Sequence, residues 1–258
     1  MTESDSPHQP ATALVTGVGR GLGRALTLEL AKRGLQVAAL GRRPEDLEQL
    51  AAAAPANAVL PVIGDVADPE SLRAAFARID TALGAPDLLI NNAAIYPRRD
   101  ILDETPESFM QTVSVNLGGM TACMMLALER MVARGWGRIV NVTTFADIRP
   151  IPLSSAYSVS KGAGRILTRA VIADLGDRFP DIVISDWVPG ALNTRMGLPD
   201  GIDPDRAAQW GAALALQTDR TLNGTLFVEN REMLPPLSLK RKLFNKLTGR
   251  SPVARRLD

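Results

Sequence analysis

Residues 143–161 read TTFADIRPIPLSSAYSVSK and hold a tyrosine and a lysine four positions apart. On a helix, residues i and i+4 lie one above the other on one face, which makes Tyr157 and Lys161 neighbours. A free phenol has a pKa near ~10 and exchanges protons poorly at neutral pH, whereas an adjacent ammonium favours the phenolate and lowers that value. The pair is therefore suited to delivering a proton to an alkoxide or taking one from an alcohol. Thr143 and Thr144 open the same stretch, and Ser154 and Ser155 precede the tyrosine, where their hydroxyls are expected to cap its helix.

A second chemistry-bearing stretch is TGVGRGLGRALTLELAKRG, residues 16–34. Gly17, Gly21 and Gly23, with Arg20 and Leu22 between them, follow an apolar run and open an amphipathic pattern, the context a dinucleotide turn requires. Without a Cβ the loop turns tightly and admits a pyrophosphate to the helix N-terminus, where free N–H groups and a partial positive charge await it. Cofactor choice is read at the end of the second strand. A carboxylate there accepts the adenosine ribose hydroxyls of NAD and repels a 2′-phosphate. This chain instead carries Gly41, Arg42 and Arg43, and Arg20 adds a further cation, so the expectation is NADP(H) gripped by guanidinium groups.

The elements that position these groups follow from the hydropathy pattern. Short aliphatic runs at 11–16, 36–40, 58–63, 87–91, 138–142, 182–187 and 225–228 alternate with amphipathic segments near 21–33, 44–54, 69–83, 105–133, 155–179 and 203–217. Asp68-Pro69 and Thr105-Pro106 mark two of the helix starts. The alternation predicts an α/β fold, a Rossmann-like doubly wound parallel sheet of about seven strands with helices on both faces of a single domain. No internal repeat or linker divides it.

Taken in order, TGVGRGLG, GDV at 64–66, NNAA at 91–94, Asn116 in SVN, YSVSK with Tyr157 and Lys161, and PGALNT at 189–194 resemble the motif set of the short-chain dehydrogenase/reductase family, over roughly residues 11–232. The resemblance implies that Lys161 also holds the nicotinamide ribose and completes a proton relay with Tyr157. It implies that Asn116 kinks the long helix and holds a water at the end of the relay. Asp65 and Val66 would meet the adenine, Asn91 and Ala93 would flank the adenosine side, and Pro189, Gly190 and Thr194 would contact the nicotinamide and pyrophosphate. The family usually places a serine about a dozen residues before the tyrosine; here Thr144 stands 13 positions upstream, keeping the hydroxyl and adding a methyl that stiffens χ1. Ala94 stands where the family pattern NNAG has its glycine, and a V-D-G-G ending is absent, which argues against the fatty-acid ketoacyl reductase branch.

Composition excludes several alternatives. One cysteine, Cys123, rules out an internal disulfide and a four-cysteine zinc framework; it is read as a small buried hydrophobe, and no metal site is expected. The only histidine, His8, falls in a polar leader, residues 1–10, read as flexible, which leaves no Ser-His-Asp triad. The net charge of +1 points to no nucleic-acid partner. Neither a secretory leader nor 18 uninterrupted apolar residues occur, so a cytoplasmic protein is expected. Met120, Cys123, Met124, Met125, Leu126 and Leu128 crowd one helix, and with the resemblance they predict a homodimer or homotetramer. Residues 233–258 form a basic tail with Leu239, Leu243, Phe244 and Leu247 at helical spacing; a packed terminal helix is the leading reading and contact with an anionic membrane the lesser one. Residues 195–206 are expected to close over the substrate, with 95–100 and 145–153 setting its identity; Arg98, Arg149 and Arg195 are the cations near it.

The function these features imply is an NADPH-dependent oxidoreductase that reduces a ketone or aldehyde, or oxidises the alcohol in reverse, with Asn116, Thr144, Tyr157 and Lys161 as its catalytic set. The alternative is a non-catalytic NADP(H)-binding or regulatory protein on the same fold.

Overall fold

The computed structural model describes residues 8–234 and 253–257. Eight strands form one sheet in the order β3-β2-β1-β4-β5-β6-β7-β8. The parallel strands are β1 (Thr12–Thr16), β2 (Gln36–Gly41), β3 (Val59–Ile63), β4 (Leu88–Asn91), β5 (Trp136–Val142), β6 (Asp181–Val188) and β7 (Leu226–Val228), and β8 (Arg231–Glu232) closes the edge antiparallel. The chain winds from β1 out to β3, then returns to place β4 on the other side of β1. Ligands of such sheets bind outside the strand carboxyl ends at this reversal.

Strand residues alternate between two cores, which is why helices cover both faces. Ala13, Val15, Leu88, Ile90 and Val140 point to one face, under helices α1 (Gly21–Lys32), α2 (Pro44–Ala53) and α7 (Pro204–Ala215). Leu14, Leu89 and Ile139 point to the other, against α3 (Pro69–Leu83), α5 (Gly119–Arg134) and α6 (Ser155–Leu175). Trp187, wholly buried, fills the first core and donates from its indole N–H to the Glu229 carbonyl at 2.9 Å. Cys123 lies in the second core, and burial pushes its thiol up to about 12, as expected of a small hydrophobe.

Helix starts follow the sequence signals at two of three places. Asp68 caps α3 through the Glu70 N–H, and Thr105 and Ser108 form a capping box on α4 (Pro106–Val113). The serines before α6 do not cap it: the Ser154 hydroxyl donates to the Ile151 carbonyl at 2.5 Å and meets Ser158, and the Ser155 hydroxyl is buried without a partner. The long helix at 105–133 is interrupted by a π-helical turn, Ser114–Gly118, centred on Asn116. The whole run, 106–134, is long and apolar enough by composition to cross a membrane, but it packs against β4, β5, α3 and α6 as a core helix does.

Both ends hold more structure than their composition suggests. Within the leader, the His8 ring stacks on Trp136 at 4.7 Å and its carbonyl accepts from Thr218. Residues 253–257 run beside β8: Glu232 N–H donates to the Arg255 carbonyl, Leu257 N–H donates to Asn230, and Leu257 is buried in the first core. The amphipathic pattern at 239–247 lies outside the described residues.

Candidate active site

A cleft of about 680 Å³ opens at the carboxyl ends of β1, β2, β4, β5 and β6. Its walls separate into a nucleotide half and a reaction half.

The nucleotide half begins at the β1–α1 turn. Gly17 has φ +73°, and a Cβ there would sit 2.6 Å from the Ala93 Cα; a Cβ on Gly23 would sit 2.3 Å from the Gly17 carbonyl oxygen. These two glycines are required by chain packing alone, before any ligand. Gly21, at φ +55°, faces Thr194, whose methyl a Cβ would meet at 3.2 Å. The N-terminus of the 12-residue helix α1 receives no side-chain cap from Arg20 and has no acidic residue in its first turn. Its amide groups therefore face the cleft unsatisfied, as an anion site needs. Asn92, not singled out by the sequence reading, fastens this turn by donating to the Thr16 and Gly17 carbonyls at 2.9 and 3.1 Å. The Thr16 hydroxyl accepts from the Asn92 and Ala93 N–H groups, tying β4 to the glycine turn.

Arg20, Arg42, Arg43, Asp65 and Val66 all line this half. Asp46 lines it too, within reach of Gly19, and was missed because nothing in its spacing marks it. Asp65 is already engaged: it accepts from the Ala67 N–H at 2.9 Å and lies 3.8 Å from the Arg42 guanidinium. Asn91 does not line the cleft. It sits inside β4 and donates to Asn141 at 2.9 Å, so its place is in the sheet rather than beside an adenosine. Ala93, Ala94, Pro189, Gly190 and Thr194 do line it.

In the reaction half, α6 delivers Tyr157 and Lys161 from the same face, and Thr143 and Thr144 follow directly on the end of β5. The Tyr157 phenol and the Thr144 hydroxyl share this wall, and Thr144 accepts from the Ala146 N–H at 3.2 Å. The pKa of Tyr157 is shifted the opposite way to the sequence expectation. Burial raises it, the nearby Thr144 hydroxyl lowers it, and Tyr96, its ring stacked at 4.5 Å, raises it further. Lys161 contributes no lowering, because its ammonium turns away to donate to the Val142 carbonyl at 2.8 Å. Burial brings the Lys161 ammonium down to about 8 against the opposing charge of Asp186.

Asn116 is brought to the site but does not line the cleft. The π turn frees it from the regular helix face, and its amide bonds the Ile95 N–H and carbonyl at 2.7 and 3.0 Å and the Ser160 hydroxyl at 3.0 Å. It thus clamps the loop after β4 onto the Tyr157 helix, a positioning role rather than a catalytic one. Tyr96 rides on that clamped loop, and only the tertiary fold brings it against Tyr157.

Beneath Lys161 a buried polar chain runs through Asn91, Asn141, Thr168 and Asp186, with links of 2.9, 3.0 and 2.8 Å. Burial raises the Asp186 carboxyl to about 6, against lowering by Thr168, Arg165, Arg169 and Asn141. A carboxyl whose folded pKa lies above its unfolded value binds protons more tightly when folded. Its ionisation therefore removes stability as pH rises through the window from about 4 to 6. Asp186→Asn is expected to abolish that loss, narrowing or reversing the stability gap to the parent by on the order of 2 kcal/mol between pH 4 and pH 7 in urea titrations. A gap constant with pH would show that the carboxyl titrates normally.

The comparisons with known proteins fit this arrangement. A family model described as short chain dehydrogenase matches residues 11–202. The chain belongs to the short-chain dehydrogenase/reductase family. It is 36% identical to the L-xylulose reductase of Cavia porcellus over 196 residues, covering 76% of this chain and 77% of that one. It is 31% identical to the D-erythrulose reductase of Gallus gallus over 231 residues, covering 88% and 91%. Among solved structures, a gluconate 5-dehydrogenase from Burkholderia cenocepacia in complex with NADP and tartrate superposes with a TM-score of 0.75 at 28% identity, covering 84% of this chain and 92% of that one. This short-chain dehydrogenase/reductase is accordingly an oxidoreductase of small molecules that uses a nicotinamide cofactor. The uncapped α1 N-terminus and the basic end of β2 fit such a dinucleotide.

Proposed function

We propose that the protein is an NADPH-dependent carbonyl reductase in which Tyr157 is the general acid and Thr144 holds the carbonyl. The observation that carries this reading is that Tyr157, Thr144 and Lys161 line one part of a cleft whose far end carries Arg42 and Arg43. The glycine turn and Thr194 would hold the pyrophosphate, Arg42 and Arg43 the 2′-phosphate, and Lys161 the nicotinamide ribose. When bound, the reduced nicotinamide supplies the hydride.

The chain's own residues supply the rest. Thr144 donates a hydrogen bond from its hydroxyl to the carbonyl oxygen, keeping its own proton, and aligns the carbon for attack. Tyr157, kept protonated at neutral pH by its burial, gives its proton to the oxygen as negative charge builds there. The Lys161 ammonium, anchored on the Val142 carbonyl, serves by holding the ribose rather than by charging the phenol. In the oxidative direction the phenol must first lose its proton, so alcohol oxidation is favoured by alkaline pH. The direct test is NADPH consumption across a panel of ketones and aldehydes: consumption with at least one supports the reading, and cofactor binding without consumption favours a regulatory protein.

We further infer a homodimer or homotetramer built through α4, α5 and α6, which leave Met110, Met125, Val159 and Ile166 exposed at 57, 62, 54 and 60%. Light scattering at micromolar concentration is expected to give at least twice the mass of one 27.6 kDa chain; a mass of one chain refutes the assembly.

A further inference from the structure

The reaction half of the cleft is walled and rimmed by apolar side chains. Ile151, Met196 and Leu198 line it and are nevertheless 55, 39 and 53% exposed. Phe145, Ile148 and Leu153, on the same loop after β5 as Ile151, are exposed too. Exposed aliphatic groups scattered singly mean little, but three that line a reaction cleft mark a surface that a ligand covers. The surface is held in place. Arg98 donates to the Met196 and Gly197 carbonyls, the second at 2.9 Å, and stacks over Tyr96; the Arg99 N–H donates to the Leu153 carbonyl at 3.3 Å. Ile202 N–H and Asn193 N–H close the base of the 195–202 loop at 2.7 and 2.8 Å.

The polar side chains on this wall are mainly hydroxyls, those of Tyr96, Thr143, Thr144 and Tyr157, while Arg98 is committed to two backbone carbonyls. Thr194 abuts the glycine turn, and Asn193 and Arg195 line the cleft on either side of it. The exposed outer part, at Ile151, Met196 and Leu198, offers side chains with no hydrogen-bonding group, so ketose hydroxyls placed there would go unpaired, whereas an alkyl chain would gain by covering it.

Resting on the reductase reading above, we propose that the substrates are lipophilic ketones or aldehydes whose apolar body lies across Ile151, Met196 and Leu198. The loops at 145–153 and 195–198 are then the determinants of specificity.

The experiment compares initial rates with NADPH on 2-decanone, D-erythrulose and pyruvate, for the parent and for Ile151→Ser/Leu198→Ser. The expected result is a kcat/KM at least about 100-fold higher for 2-decanone than for either polar substrate. The double variant is expected to lose about tenfold or more on 2-decanone, with its NADPH Kd and its rate on acetone within threefold of the parent. Faster reduction of D-erythrulose or pyruvate, or an equal loss on 2-decanone and acetone, overturns the proposal. Calorimetry of 1-decanol binding to the NADPH complex separates the two readings. If no carbonyl is reduced yet 1-decanol binds and the serines weaken it, the apolar surface stands and the reductase reading falls; if 1-decanol does not bind, the apolar surface falls as well.

Discussion

Tyr157→Phe is expected to lower kcat/KM for carbonyl reduction by about 10²–10⁴-fold, the range that a positioned general acid contributes, while leaving the NADPH Kd within about threefold. The substitution removes one oxygen from a buried ring stacked on Tyr96 and leaves the packing intact. What it deletes is the proton delivered to the developing alkoxide, so the loss should fall on kcat rather than on cofactor binding. Thr144 is tested in the same assay. Thr144→Val keeps the branched shape but removes the hydroxyl near the phenol, and a clear loss is expected; Ser155→Ala should be silent, because Ser155 lies off the cleft with an unpartnered hydroxyl. Full activity in Tyr157→Phe, measured with saturating NADPH, would remove the phenol from the chemistry.

Arg42→Ala/Arg43→Ala is expected to weaken NADPH binding by about 10²-fold or more and to leave NADH binding within about threefold. Each charge-assisted contact to a phosphate is worth about 1.5–3 kcal/mol, and the lower end applies because Arg42 is largely exposed, its side chain 68% accessible. The NADPH advantage of the parent should also shrink with ionic strength, since the charges at this end of the cleft are open to screening. Asp46 and Asp65 lie among the arginines and would oppose a phosphate if the arginines were gone. Parallel titrations of NADPH and NADH measure this; equal weakening of both cofactors would mean that the arginines hold the shared nucleotide and not the 2′-phosphate.

The sheet, its helices and the turn at Gly17 to Gly23 were legible in the sequence because each is encoded locally, by aliphatic runs, amphipathic spacing and glycines that admit positive φ. Tyr157 and Lys161 were legible for the same reason, as an i,i+4 pair. Their electrostatics were not, because a pKa depends on what folds around the group. Burial dominates Tyr157, with Thr144 and then Tyr96 the lesser influences, and Lys161 bonds Val142, 19 residues back in the chain. Asn116 was marked by its motif, yet its work is a set of bonds to Ile95 and Ser160, 21 and 44 residues away. The Asn92 anchor, the packing of His8 on Trp136 and the return of Leu257 to the core are also long-range contacts between residues of unremarkable type.

Deuterium transfer addresses the proposed chemistry without relying on rates alone. With NADPH labelled by deuterium on the transferred position of nicotinamide C4 and a carbonyl that is turned over, mass spectrometry is expected to find one deuterium on the carbinol carbon of the alcohol, and none of this product with Tyr157→Phe in the same time. An enzyme preparation that binds NADPH but yields no deuterated alcohol from any carbonyl, or a Tyr157→Phe variant that yields as much as the parent, is incompatible with Tyr157-dependent carbonyl reduction.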